Sequence, residues 1–140
     1  MVKIIDQLLP DVFYSRLLNI FDDEIDGVSW YWNSKTAATP YGEPLDNNYM
    51  FTHHLYNKYH DLKSSYFETF FPILYFLGEH IPIEDLHRMK LNLYPNQDKK
   101  IIHAKHIDLR IEETKEPTEN CTITILNFTT CNGGTIIGEE

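Results

Sequence analysis

Polar and apolar residues alternate most regularly late in the chain, where Cys121, Thr122, Ile123, Thr124 and Ile125 lead into Leu126, Asn127 and Phe128. A period of two marks a strand with one buried face, so a strand is predicted over residues 121–130. Asn132, Gly133 and Gly134 tolerate the positive φ of a tight hairpin turn, and a return strand is expected to begin over 135–137. A second alternating run covers residues 86–94. It sets Leu86, Arg88, Lys90, Asn92 and Tyr94 on one face and His87, Met89, Leu91 and Leu93 on the other, the second set facing a core.

Earlier in the chain the period changes. Residues 2–9 begin as a short apolar strand, and Pro10 and Asp11 open a helix in which Phe13, Leu17, Ile20 and Phe21 share one face, with Asp11 as N-cap. An acidic turn over 22–27 precedes an aromatic strand over 28–32, whose Trp30 and Trp32 read as core. Residues 33–48 hold two prolines and little periodicity, which predicts a long irregular loop of the kind that forms lids and binding segments. Residues 48–61 mix aromatics with His53, His54 and His60 and read as a strand followed by a turn. Ser65 and Glu68 have capping-box spacing ahead of a helical stripe of Phe67, Phe70, Phe71, Leu74 and Leu77. Pro72 should kink that helix or delay its start, Gly78 is its expected C-cap, and Pro82 blocks further helix. Helices first and strands afterwards predict a single α+β domain over residues 1–140, its sheet filling the second half.

Composition narrows the function classes. Twenty-one acidic against twelve basic residues give a formal charge of -9, which argues against a nucleic-acid binder. The longest near-apolar run, residues 70–78, is far shorter than the roughly 20 residues of a membrane span, so no membrane partner is expected. The opening residues lack the features of a signal peptide, which predicts a cytoplasmic protein. Cys121 and Cys131 would lie about 30 Å apart along one strand, beyond disulfide reach, and free thiols suit a reducing compartment.

The candidate chemistry lies in residues 101–108. As a strand, this stretch puts His106 and Asp108 on one face and Lys105 and Ile107 on the other. An imidazole and a carboxylate then converge, supplying two of the three ligands of the two-histidine, one-carboxylate triad that holds Fe(II). No histidine follows Asp108 to complete it. The alternative for this pair is an ordinary hydrogen bond on a partly exposed strand. Arg88 and Lys90, beside Asn92 and Tyr94, can present charge to a 2-oxo acid or an anionic substrate, or can act as salt-bridge partners flanking the sheet. For His53, His54, His60, His80 and His87, which lack ligand spacing, a structural role is the simpler reading.

The order of these segments resembles the Fe(II)- and 2-oxoglutarate-dependent dioxygenases, in particular small prolyl-hydroxylase-like proteins. The resemblance rests on the run Arg88, Met89, Lys90, Leu91, Asn92, Leu93, Tyr94, then His106-Ile107-Asp108, then Thr124 to Asn127 with Asn132, Gly133, Gly134 and Thr135. It implies a double-stranded β-helix (jelly-roll) with the early helices packed on its antiparallel sheet. It also implies Fe(II) held by His106 and Asp108, and 2-oxoglutarate as cosubstrate, consumed by decarboxylation as a substrate C–H bond is hydroxylated. Asn92 and Tyr94 would line the cosubstrate pocket, and His103 stands three residues before the first ligand, where many relatives carry a tyrosine, placed either to contact the cosubstrate or simply to cap the strand. The family's distal histidine and cosubstrate arginine have no counterpart, because residues 109–140 hold no histidine and only Arg110. An N-terminal portion of such a hydroxylase is therefore expected. A rival expectation from another class is a non-catalytic binding module that self-associates through its C-terminal edge strand, and a third is a site completed by a partner chain.

Overall fold

The computed structural model describes residues 2–24, 26–37, 48–106, 121–129 and 134–137. The expected helix is present as α1, Asp11–Asp22, with Leu17 fully buried and Phe13, Ile20 and Phe21 packed against the core. Pro10, not Asp11, is the N-cap, and its carbonyl accepts the first helical hydrogen bond from the Tyr14 amide at 2.9 Å. Proline suits this place, where a missing N–H leaves nothing unsatisfied. After the helix the chain doubles back so tightly that a Cβ at Gly27 would stand 2.0 Å from the Asp23 carbonyl oxygen. Only glycine fits there.

A strand over residues 2–9 does not form. Gln7 takes a left-handed φ of 52°, which breaks the extended run, and Leu8 and Leu9 reach the core as single side chains.

The sheet has four antiparallel strands: β1 (Tyr31–Asn33), β2 (Met50–Asn57), β3 (Leu62–Lys63) and β4 (Arg88–Leu93). β2 is its centre. β4 pairs with β2 from Phe51 to Asn57, so β1, opposite Met50 to Thr52, and β3, opposite Tyr56 and Asn57, share the other edge. A 3-10 turn, Lys58–His60, and a left-handed Asp61 join β2 to β3, matching the expected strand followed by a turn. Trp30 stops short of the ladder and packs on Phe21 with ring centroids 6.2 Å apart, whereas Trp32, on the short edge strand, is 65% exposed. Only the first of the two tryptophans belongs to the core.

Register explains which residues turn inward. The β2–β4 ladder skips Leu55, since Lys90 pairs with His54 and Met89 with Tyr56. Such a bulge leaves two consecutive residues of one strand against one of its neighbour, and here both Leu55 and Tyr56 join the core. Met89 and Leu91 meet them from β4, as the alternation predicts, but Leu93 at the strand end is 41% exposed.

The aromatic stripe is helical in two pieces, α2 (Phe67–Phe70) and α3 (Ile73–Gly78), divided at Pro72 as expected. No capping box forms, because Glu68 pairs instead with Lys63, and the Ser64 hydroxyl accepts the Tyr66 amide at 3.2 Å. Gly78 is the last residue of α3 and Glu79 its C-cap. Phe70 is fully buried where α2 meets α1, its ring 5.8 Å from Phe21 and 6.3 Å from Phe128.

Residues 121–129 are not in a strand, and neither are 101–106 or 134–137; the remainder of the predicted metal strand and of the hairpin turn lies outside the described residues. The late segment nonetheless closes the core. Phe128 packs edge-on against Phe21 at 5.3 Å, and the Tyr14 hydroxyl donates to the Phe128 carbonyl. Its apolar alternation changes phase between Ile125 and Leu126, so Leu126 and Phe128 pack inward while Ile123 and Ile125 are 52% and 54% exposed.

Truncating Phe70 removes the side chain shared by α2, α1 and the late segment. Phe70→Ala is expected to cost about 3–5 kcal/mol in denaturant unfolding, and Tyr75→Ala, at an exposed site, well under 1 kcal/mol. Equal losses for the two would contradict this core.

Candidate functional site

The face of the sheet opposite the helices is polar. By register Asn92 stands beside Thr52, Lys90 beside His54 and Arg88 beside Asn57. Pleating places these pairs on the side away from Leu91 and Met89. Thr52 and Asn57 are buried, Arg88 and Lys90 half-buried, and Asn92 exposed. The sequence-predicted residues of β4 therefore share a face.

Tyr94 extends this face just past the end of β4 and is in ring contact with His103, centroids 5.1 Å apart and planes tilted by 40°. His103 Nδ1 lies 2.9 Å from the hydroxyl of Thr36, itself buried. Thus the turn after β4, the segment before His106 and the start of the expected loop meet at one place. Thr36 is a contributor that sequence reasoning missed, since an isolated threonine in an aperiodic stretch carries no signal.

His106 is exposed, with Nδ1 3.1 Å from the Ala104 carbonyl oxygen. A carbonyl can only accept, so Nδ1 carries the proton and in the neutral ring the lone pair is on Nε2. Fixing one ring nitrogen against a backbone carbonyl is how metal-ligating histidines are oriented. Asp108 lies outside the described residues. Among the described residues, no group of three or more His, Cys, Asp or Glu side chains is placed to hold a metal ion.

The remaining histidines divide by environment. His53 and His54 are consecutive in β2, yet they face opposite ways. His53 is buried, Nδ1 donating to the Ser29 carbonyl at 2.8 Å and Nε2 bonded to the Ser64 hydroxyl at 2.7 Å. With both ring nitrogens engaged, it ties β2 to the segment leading into β1 and to the entry of α2. His87 bonds the Tyr59 hydroxyl and faces Asp85 at 3.8 Å, and Asp85 is paired with Lys58. His54 is half-buried on the polar face, and its pKa is lowered first by burial, then by Lys90 and Arg88, with smaller contributions from His53 and His60.

No protein-family model matches this chain, and no curated protein or solved structure is significantly similar to it.

Two measurements check the histidines. Ser64→Ala leaves buried His53 Nε2 without its partner and is expected to cost about 1–3 kcal/mol of stability. His54 has the opposite character. Because the folded chain holds its proton more weakly than the unfolded chain, stability falls as pH drops below the ordinary imidazole value, about 6.5, until the lower folded value is passed. His54→Gln should flatten the dependence of the urea midpoint between pH 7.5 and 5.5, and an unchanged profile would contradict the assignment.

Proposed function

We propose that this chain forms part of an Fe(II)- and 2-oxoglutarate-dependent oxygenase domain of the prolyl-hydroxylase-like kind, with a double-stranded β-helix built on the sheet around β2. The observation that carries the reading is the contact of Tyr94 with His103, which brings the segment leading to His106 against the end of the polar face of β4. Helices on one face of the sheet and polar residues on the other are what an active site inside such a β-helix requires. The orientation of His106 by the Ala104 carbonyl fits a ligand that binds through Nε2.

His106 and Asp108 would hold the metal. When bound, it would supply oxygen activation coupled to decarboxylation of the 2-oxo acid, with the third protein ligand of such a triad coming from outside this pair. The chain's own residues bind and orient. Asn92 and Tyr94 can donate hydrogen bonds to 2-oxoglutarate, and His103, held by Thr36, fixes the Tyr94 ring and borders the same pocket. Arg88 and Lys90 supply positive charge on the same face, for the 2-oxo acid or an anionic substrate.

A second reading, a non-catalytic module that pairs with another copy through its late segments, is favoured by one observation. Ile123, Ile125, Ile136 and Ile137 are all more than half exposed. Light scattering separates the two, since a concentration-dependent dimer supports pairing and a strict monomer opposes it.

Anaerobic calorimetry tests the oxygenase reading. Fe(II) binding should strengthen when 2-oxoglutarate is present, and His106→Ala should weaken it by about tenfold or more, the size expected for loss of a ligand or its support. Fe(II) binding that is the same in wild type and His106→Ala would sink the assignment.

A further inference from the structure

A hydroxyl, an imidazole and a backbone carbonyl are hydrogen-bonded in sequence at the corner where β3 passes into α2. His53 Nδ1 lies 2.8 Å from the Ser29 carbonyl oxygen, which can only accept, so this nitrogen carries the proton and in the neutral ring the lone pair is on Nε2. Nε2 lies 2.7 Å from Ser64 Oγ, so the serine donates its proton toward the base. A hydroxyl within hydrogen-bond reach of an imidazole, itself oriented by a third group, is the arrangement of an activated nucleophile. Here a main-chain oxygen fills the place that a carboxylate takes in the familiar triad. A purely structural tie would be served by either direction of the Ser64–His53 bond. The Ser29 carbonyl selects the direction that aims the serine proton at the lone pair.

The surroundings hold this arrangement in place. His53 is buried, and the Tyr66 ring stands edge-on to it with centroids 5.6 Å apart and planes at 79°. The Tyr66 hydroxyl is in turn bonded to the carbonyls of Asp26 and Gly27 at 2.7 and 2.8 Å, so the ring that flanks the imidazole is itself fixed. Ser64 is half-buried and its Oγ accepts the Tyr66 amide at 3.2 Å. With one bond donated and one accepted, the serine oxygen keeps a lone pair for attack. The amide of Ser65, the next residue, donates to no group among the described residues. Acyl-transfer sites commonly use the N–H that follows the nucleophile to stabilise the oxyanion.

We propose that Ser64 is a nucleophile with His53 as its general base, and that the pair hydrolyses esters of short acyl groups. Ser64 Oγ forms a bond to the ester carbonyl carbon as its proton passes to His53 Nε2, and the Ser65 amide donates to the carbonyl oxygen that gains the charge. The bond to the leaving oxygen then breaks as that oxygen takes the proton from Nε2. Water attacks the acyl-serine, its proton returns through Nε2 to Ser64 Oγ, and the carboxylic acid departs. The half-buried position of the hydroxyl favours a short acyl group. This chemistry uses none of the residues of the oxygenase reading and needs no metal.

The test treats the full chain with p-nitrophenyl acetate and, separately, with diisopropyl fluorophosphate, and locates the adducts by peptide mass spectrometry. Ser65 is a built-in comparison, because it is more exposed than Ser64 but makes no hydrogen bond to a histidine among the described residues. Both reagents should modify Ser64 about a hundredfold faster than Ser65, and unfolding in urea should abolish that preference. His53→Gln should slow modification of Ser64 about a hundredfold, the lower end of what a positioned base contributes. Circular dichroism verifies that the variant folds, and the wild-type ratio of Ser64 to Ser65 decides the matter if it does not. Equal modification of the two serines, absence of any adduct at Ser64, or a Ser64 rate unaltered in folded His53→Gln overturns the proposal.

Discussion

Everything described in this fold leans on β2, which is hydrogen-bonded along both edges: β4 on one side, β1 and β3 sharing the other. Two-sided pairing fixes the register of every neighbour, and register decides which side chains turn inward. The bulge at Leu55 is the key adjustment, because it admits Leu55 and Tyr56 together to the core while leaving His54 beside Lys90 on the other face. Removing the extra residue would shift the phase of one end of the strand against the other.

On the apolar side, an aromatic cluster converts that register into stability. Phe70 touches Phe21 of α1 and Phe128 of the late segment, and Phe21 reaches Trp30 just before β1. Burying one such ring is worth about 1.5–3 kcal/mol, so a cluster that joins distant parts of the chain outweighs the poor intrinsic stability of helices as short as α2 and α3. His53, on the side away from the polar face, anchors β2 through Ser29 and Ser64, and on the polar side Tyr94, His103 and Thr36 gather three segments at the end of β4. A rigid sheet with one face committed to packing leaves the other free to carry chemistry.

Much of this was legible where period and spacing speak for themselves. The stripe of Phe13, Leu17, Ile20 and Phe21 located α1, the alternation separated the two faces of β4 within 88–93 although Leu86, placed with the polar face, packs against the core, and Pro72 marked the break between α2 and α3. Other features depend on contacts that a linear pattern does not contain. The apolar start of the chain reads as a strand, but Gln7 turns left-handed and no ladder forms. Trp32 looks like core until it is found on a short edge strand, and Glu68 looks like a capping-box partner until Lys63 engages it. In the site, Arg88, Lys90, Asn92 and Tyr94 could be grouped by parity alone. His54 could not, since two adjacent histidines carry the same signal and only pairing with β4 shows that one is buried structure and the other faces Lys90.

The most direct test of the central claim, that the polar end of β4 and the segment before His106 border a single metal site, is paramagnetic line broadening of amide resonances on anaerobic addition of Fe(II). The proposed metal site predicts that broadening concentrates at Asn92, Tyr94, His103 and His106 and spares α1 and the Tyr59–His87 pair. Broadening centred on Asp85 and His87, or spread evenly over the acidic surface, would contradict it.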